Sequence, residues 1–118
     1  MYNGSLKAES NRATWTFVVT VLDTTTDVAI DLTAALIELA VRSQQSVIPA
    51  MTGSSADGHI AILSPATAGQ FRVTFTPAEM GLLLPGIYDV GIRLTQASGT
   101  VTQLLVAELP LVDGIIAL

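Results

Sequence analysis

The chain has 118 residues, no Cys, a net charge of −5, half of its residues hydrophobic and only 13% charged. A chain of this size makes one domain and buries about two-thirds of the surface its extended form exposes, enough for a core without disulfides or metal. Lack of Cys excludes a disulfide framework, a thiol nucleophile and a thiolate metal site, and five scattered basic residues (Lys7, Arg12, Arg42, Arg72, Arg93) offer no footprint for nucleic acid or an anionic membrane.

The first residues, Met1 to Arg12, are polar and aperiodic. They read as a flexible arm over 1–13, or a loose edge segment, with one domain over 14–118. No basic segment leads into an apolar one, so no signal peptide is expected, and no apolar run approaches the ~20 residues of a spanning helix. From Thr14 the pattern alternates, with Trp15, Phe17, Val19 and Val21 on one face, and Asp23 to Asp27 ends that strand in a polar turn. A second strand runs from Ala35 to Arg42, with Ile37, Leu39 and Val41 facing in. Two short strands are expected around Val47–Thr52 and His59–Leu63, separated by a loop in which Asp57-Gly58 supplies the positive φ.

Gln70 to Thr76 is the clearest strand, with Phe71, Val73 and Phe75 inward. Thr76-Pro77-Ala78-Glu79 spells a helix start: Thr as N-cap, Pro at the first turn and Glu three residues on to close a capping box. One or two helical turns should follow, through Met80 and Leu83, with leucines plugging one end of the fold. Ile87 to Thr95 alternates again, with Tyr88, Val90, Ile92 and Leu94 inward, and Ala97-Ser98-Gly99 makes a hairpin loop. The last strand, Val101 to Val112, carries apolar residues on both faces. Val101, Leu105, Ala107 and Leu109 share one face, and Leu104 and Val106 the other, so it is covered on both sides or rests on a partner. About seven strands and one short helical turn predict an all-β chain, an immunoglobulin-like two-sheet antiparallel sandwich.

Several segments resemble those of small phage and prophage domains. Asp31-Leu32-Thr33-Ala34-Ala35 through Arg42 is similar to their D-L-T-G-A start of a strand ending in Arg, with Ala34 where the pattern often has Gly. Gly69-Gln70-Phe71-Arg72-Val73, Thr76-Pro77-Ala78-Glu79 and Pro85-Gly86-Ile87-Tyr88-Asp89-Val90 resemble the strand, capped turn and P-G-x-Y strand that follow. Their order resembles the N-terminal immunoglobulin-like domain of phage baseplate upper proteins, over about Thr14 to Val112. The resemblance implies a structural role in a virion, hence a location in the particle or in the host cytoplasm during assembly.

The residues offer little chemistry. His59 is the single histidine, so any serine–histidine relay must use it, and no G-x-S-x-G, P-loop or dinucleotide motif accompanies it. It reads as a surface residue at a strand start. Asp23, Asp27, Asp31, Asp57 and Asp113 fall in turns, where Asp is favoured for its own hydrogen bonding; calcium coordination by such loop carboxylates is left open, without EF-hand spacing. Trp15, Phe17, Phe71, Phe75 and Tyr88 alternate inward and read as core rather than a sugar platform. The expectation is therefore a non-enzymatic protein with no cofactor or metal and no nucleic-acid or membrane partner. It would associate with other virion or tail proteins and with copies of itself, through Leu104, Val106, Leu111, Ile115, Ile116 and Leu118. A monomeric immunoglobulin-like module that binds a cell-surface glycan or protein through its loops is the alternative.

Overall fold

A computed structural model describes residues 2–6, 9–23, 26–44, 46 and 48–113, with backbone alone for 2–5. Its strands are β1 (Tyr2–Ser5), β2 (Glu9–Ser10), β3 (Trp15–Thr20), β4 (Leu36–Ser43), β5 (Met51–Ser54), β6 (Ile60–Ile62), β7 (Gln70–Phe75), β8 (Gly86–Thr95) and β9 (Val101–Val112); the helical turn α1 (Pro77–Met80) joins β7 to β8. One sheet runs β9-β8-β4-β5, with β1 and β2 in succession along the free side of β9; the other runs β3-β7-β6. The order β6-β7-β3 against β5-β4-β8-β9 is that of strands D-E-B against C′-C-F-G in immunoglobulin-like sandwiches. The chain is an all-β sandwich, as its alternation predicts.

The inward faces match the sequence pattern closely. Phe71, Val73 and Phe75 of β7 are fully buried, as are Ile37 and Val41 of β4 and Leu94 of β8, and all join one core with Leu105, Ala107 and Leu109 of β9. Tyr88, near the start of β8, donates its hydroxyl to the Leu84 carbonyl at 2.6 Å. This is the tyrosine corner of immunoglobulin-like domains, which pins the chain where it crosses between sheets. The capping box forms as spelled: Thr76 Oγ1 accepts from the Glu79 N–H at 3.2 Å, and Glu79 Oε1 accepts from the Thr76 N–H at 3.0 Å. Ala34 has φ 58°, in the left-handed region that favours glycine, and Thr33 before it donates its N–H to the Asp31 carboxylate at 2.9 Å.

Four expectations are corrected. The described part of 1–13 is an edge segment and not a flexible arm outside the domain, because β1 and β2 pair with β9, and they do so in parallel, unlike the antiparallel pairs elsewhere. Asn11, buried just after β2, donates its side-chain N–H to the Leu83 carbonyl at 3.1 Å, tying this segment to the body. Alternation cannot reveal it, since its ladder uses backbone groups and its residues are polar. Second, the register of β8 and β9 shifts: Ile92 pairs with Leu105 but Arg93 with Gln103, so Leu104 is an extra residue. The bulge turns Val101 away from the face of Leu105, and Val101 is exposed. Gln103 Nε2 donates to the Ile92 and Leu105 carbonyls, each at 2.9 Å, across the irregular step. Third, of the leucines after α1 only Leu83 is buried; Leu82 and Leu84 point to solvent. Fourth, β5 begins at Met51, after Pro49 and Ala50, and Val47 lies outside the described residues.

Candidate functional site

The six residues expected at an interface separate. Leu111 is 3% exposed and belongs to the core, so it is not available on the folded surface. Its neighbour across the ladder is Gly86, and the end of β9 there packs inward instead of presenting an outer face. Leu104, at the bulge, is half-buried against the core. Val106 is 43% exposed on the outer face, opposite Gly91. Ile115, Ile116 and Leu118 lie outside the described residues.

Other apolar residues stand out on this side, and periodicity did not single them out. Leu82 is 84% and Leu84 78% exposed in the turn before β8, and Ile87 and Val112 are exposed on the outer face at that end of β8 and β9. Ile87 pairs directly with Pro110, an apolar pair at the end of the ladder, and the next pair on that face is Asp89 with Glu108. The only sequence signal for these exposed residues was the run Leu82-Leu83-Leu84, which is too short to fill a helix face.

Farther along the same outer face lies a groove of about 520 Å³ whose lining includes Glu38, Ser54, Asp57, Arg93 and Gln103. Glu38 and Arg93 are cross-strand partners on β4 and β8, and Arg93 donates two hydrogen bonds to Glu38 Oε1, at 3.2 Å from Nε and 2.7 Å from Nη2. The groove is open and mixed in character, with Leu39 and Ala40 beside the charged side chains and no aromatic side chain among its lining residues.

His59 is more engaged than a strand-end surface residue. Gly58, at φ 90°, turns the β5–β6 loop, and Asp57 Oδ1 accepts the backbone N–H groups of Ser54 at 3.0 Å and His59 at 2.9 Å. The imidazole stacks on Phe75 with centroids 4.7 Å apart. A Cβ on Gly53 would come within 2.8 Å of both residues, so glycine makes room for the stack. Nδ1 meets Asp57 Oδ1 at 2.7 Å, and Nε2 meets Glu79 Oε2. Two carboxylates on two ring nitrogens call for two N–H groups, hence an imidazolium. Hydrogen bonding to Glu79, then to Asp57, accordingly raises the His59 pKa above its ordinary 6.5, against a smaller opposing effect of burial. Glu79 is held below its ordinary value first by the Thr76 backbone N–H and then by His59, and Asp57 chiefly by the His59 backbone N–H.

Chemically the cluster is a clamp. Neither ring nitrogen faces a hydroxyl that it might activate, since both are taken by carboxylates. The carboxylates sit on opposite sides of the ring and do not converge on one point, and among the described residues no group of three His, Cys, Asp or Glu is arranged to hold a metal ion. Asp23 and Asp31 accept local turn hydrogen bonds, from the N–H groups of Thr26 at 3.3 Å and Thr33 at 2.9 Å. No helix among the described residues is long and apolar enough to cross a membrane. Compared with known proteins, the chain matches no family model and no curated protein.

Proposed function

We propose that this chain is a non-enzymatic assembly protein of a phage or prophage tail or baseplate and works by protein–protein association. The observation that carries the reading is the set of exposed apolar side chains at one end of the larger sheet, Leu82 and Leu84 in the turn before β8 and Ile87 and Val112 on the outer face of β8 and β9. A chain with 13% charged residues and a filled core has no internal use for that area; covering it with a partner removes it from water, at about 25 cal/mol per Å² before the costs of association. The sequence resemblance described above supplies the virion context, and the left-handed Ala34 falls where that pattern often carries Gly.

The test is incorporation. Antibodies against the chain should decorate the tails of particles released by the strain that encodes it. A chain with Leu82→Asp and Leu84→Asp should keep its melting temperature and drop out of those particles. Normal particles from a strain lacking the gene, with no label on wild-type tails, would end the assembly reading. The open groove that holds Glu38, Asp57, Arg93 and Gln103 favours one second reading, a monomeric module that binds a cell-surface glycan or protein. Saturable binding on a glycan array, lost with Arg93→Ala, would move that reading to first place.

A further inference from the structure

The two halves of the His59 clamp are not equivalent. Asp57 lies 2 residues before His59 in the same loop, and the backbone N–H groups of Ser54 and His59 anchor its carboxylate there. Glu79 stands on α1, 20 residues away along the chain. The Nδ1 contact is therefore internal to the β5–β6 loop, whereas the Nε2 contact joins that loop to α1. Glu79 divides its oxygens between two tasks: Oε1 accepts the Thr76 N–H at 3.0 Å and closes the capping box, while Oε2 meets the ring.

α1 leads straight into the turn that exposes Leu82 and Leu84. The Leu82 N–H donates to the Glu79 carbonyl at 3.2 Å and the Leu83 N–H to the Met80 carbonyl at 3.1 Å. The turn thus hangs from the residue that the imidazole holds and from its neighbour. The ring has a fixed seat of its own: it stacks on Phe75 of β7, and the His59 carbonyl accepts the Thr74 N–H at 2.9 Å. Phe75 and Gly53, which pack against it from β7 and β5, carry no charge. The charged groups that face the ring are Asp57 from its own loop and Glu79 from α1.

We propose that His59 is a proton-operated latch: its charged ring fastens the β5–β6 loop to α1, and loss of the proton opens that one link and loosens the Leu82–Leu84 turn. A neutral imidazole has one N–H and one lone pair. Asp57 keeps the N–H, because two backbone groups hold its carboxylate beside Nδ1 whatever the charge of the ring. The lone pair then falls on Nε2 and faces a carboxylate oxygen of Glu79, acceptor against acceptor. The Oε1 side of Glu79 stays in the capping box, so α1 remains capped while its tie to the loop is lost. Hydrogen bonding to both carboxylates raises the His59 pKa above 6.5, so the latch is closed below pH 6.5 and opens as pH rises through the folded value. It concerns the turn itself and not what covers it, and so stands apart from the assembly reading.

The experiment is NMR on the full chain, following the His59 ring through its titration. Amide protection of residues 81–84, corrected for the intrinsic dependence of exchange on pH, is measured on either side of it. In wild type that protection should fall as the ring loses its proton, while protection of β7 and β8 holds. Glu79→Gln reverses the sign, and the helix stays capped because Gln serves a capping box as Glu does. With Oε1 kept on the Thr76 N–H, its amide nitrogen points at Nε2 and donates to the neutral ring. His59 should then titrate at a lower pH than in wild type, and protection of 81–84 should rise as the proton leaves. Equal protection on both sides of the wild-type titration overturns the latch, as does a Glu79→Gln chain whose protection falls as wild type's does. Neither result touches the incorporation test of Leu82 and Leu84, so the two readings fail separately.

Discussion

The space between the two sheets and the corner around α1 are both well ordered by their contacts, but by different physics. Between the sheets, Phe71, Val73 and Phe75 meet the inward residues of β4, β8 and β9 through apolar volume alone. At the corner, Met80 and Leu83 are buried too, but named polar contacts also fix the chain: the Thr76–Glu79 capping box, the Tyr88 hydroxyl on the Leu84 carbonyl, Asn11 on the Leu83 carbonyl, and His59 between Asp57 and Glu79. The interior tolerates no loss of volume but is indifferent to pH. The corner leaves Leu82 and Leu84 in solvent and adds a dependence on single protons and carbonyls.

The largest effect should come from the interior. Phe71→Ala empties a fully buried site on the central strand of the smaller sheet, and such truncations cost about 3–5 kcal/mol in transfer and cavity energy. Against a total stability of about 5–15 kcal/mol for a domain, that leaves the fold marginal. Urea denaturation should show the midpoint falling sharply with the slope unchanged; a loss below about 1 kcal/mol would mean that this layer is not the tightly packed one.

This contrast also explains what could be read from residues alone. Alternation reports which side of a strand is wet, so the inward sets of β4, β7 and β8 were legible, as was the capping box, whose partners are three residues apart. Val101 was misassigned because strict alternation carries across a bulge that no side chain announces. The pairing of β1 and β2 with β9 was hidden in polar residues. The His59 clamp joins positions 20 residues apart, and only the capping box, by orienting Glu79, hinted at where that carboxylate points. The Leu82–Leu84 turn was legible as composition but not as surface, because whether a leucine in a turn faces in depends on the tertiary fold.

Tyr88→Phe probes the corner with little change of volume. It removes one hydroxyl and leaves the Leu84 carbonyl to water or to nothing, so a loss of about 1 kcal/mol is expected, up to about 3 if the carbonyl stays dry. The melting temperature should fall by a few degrees, and amide exchange should quicken first in residues 81–88. Uniform quickening across all strands would show that the tyrosine holds the whole sandwich rather than its corner.

The smallest and most specific effect is that of pH on the clamp. The folded pKa of His59 lies above the ordinary 6.5, so its stabilising contribution is full below pH 6.5 and is lost as pH rises through the folded value. The folded pKa values of Glu79 and Asp57 lie below the ordinary 4.5 and 3.8, so their contributions are present above those values and lost as pH falls through the folded ones. All three charges coexist between about pH 4.5 and 6.5, and the clamp is tightest there. His59→Gln keeps a hydrogen-bonding side chain but cannot carry the proton, so its melting temperature should respond less to pH above 6.5 than that of wild type. The side chains are partly solvated, with His59 24% and Glu79 34% exposed, and salt should shrink the difference between the two curves. If wild type and His59→Gln respond identically from pH 6 to 9, the imidazolium contributes nothing, and the corner is held by the capping box, Tyr88 and Asn11 alone.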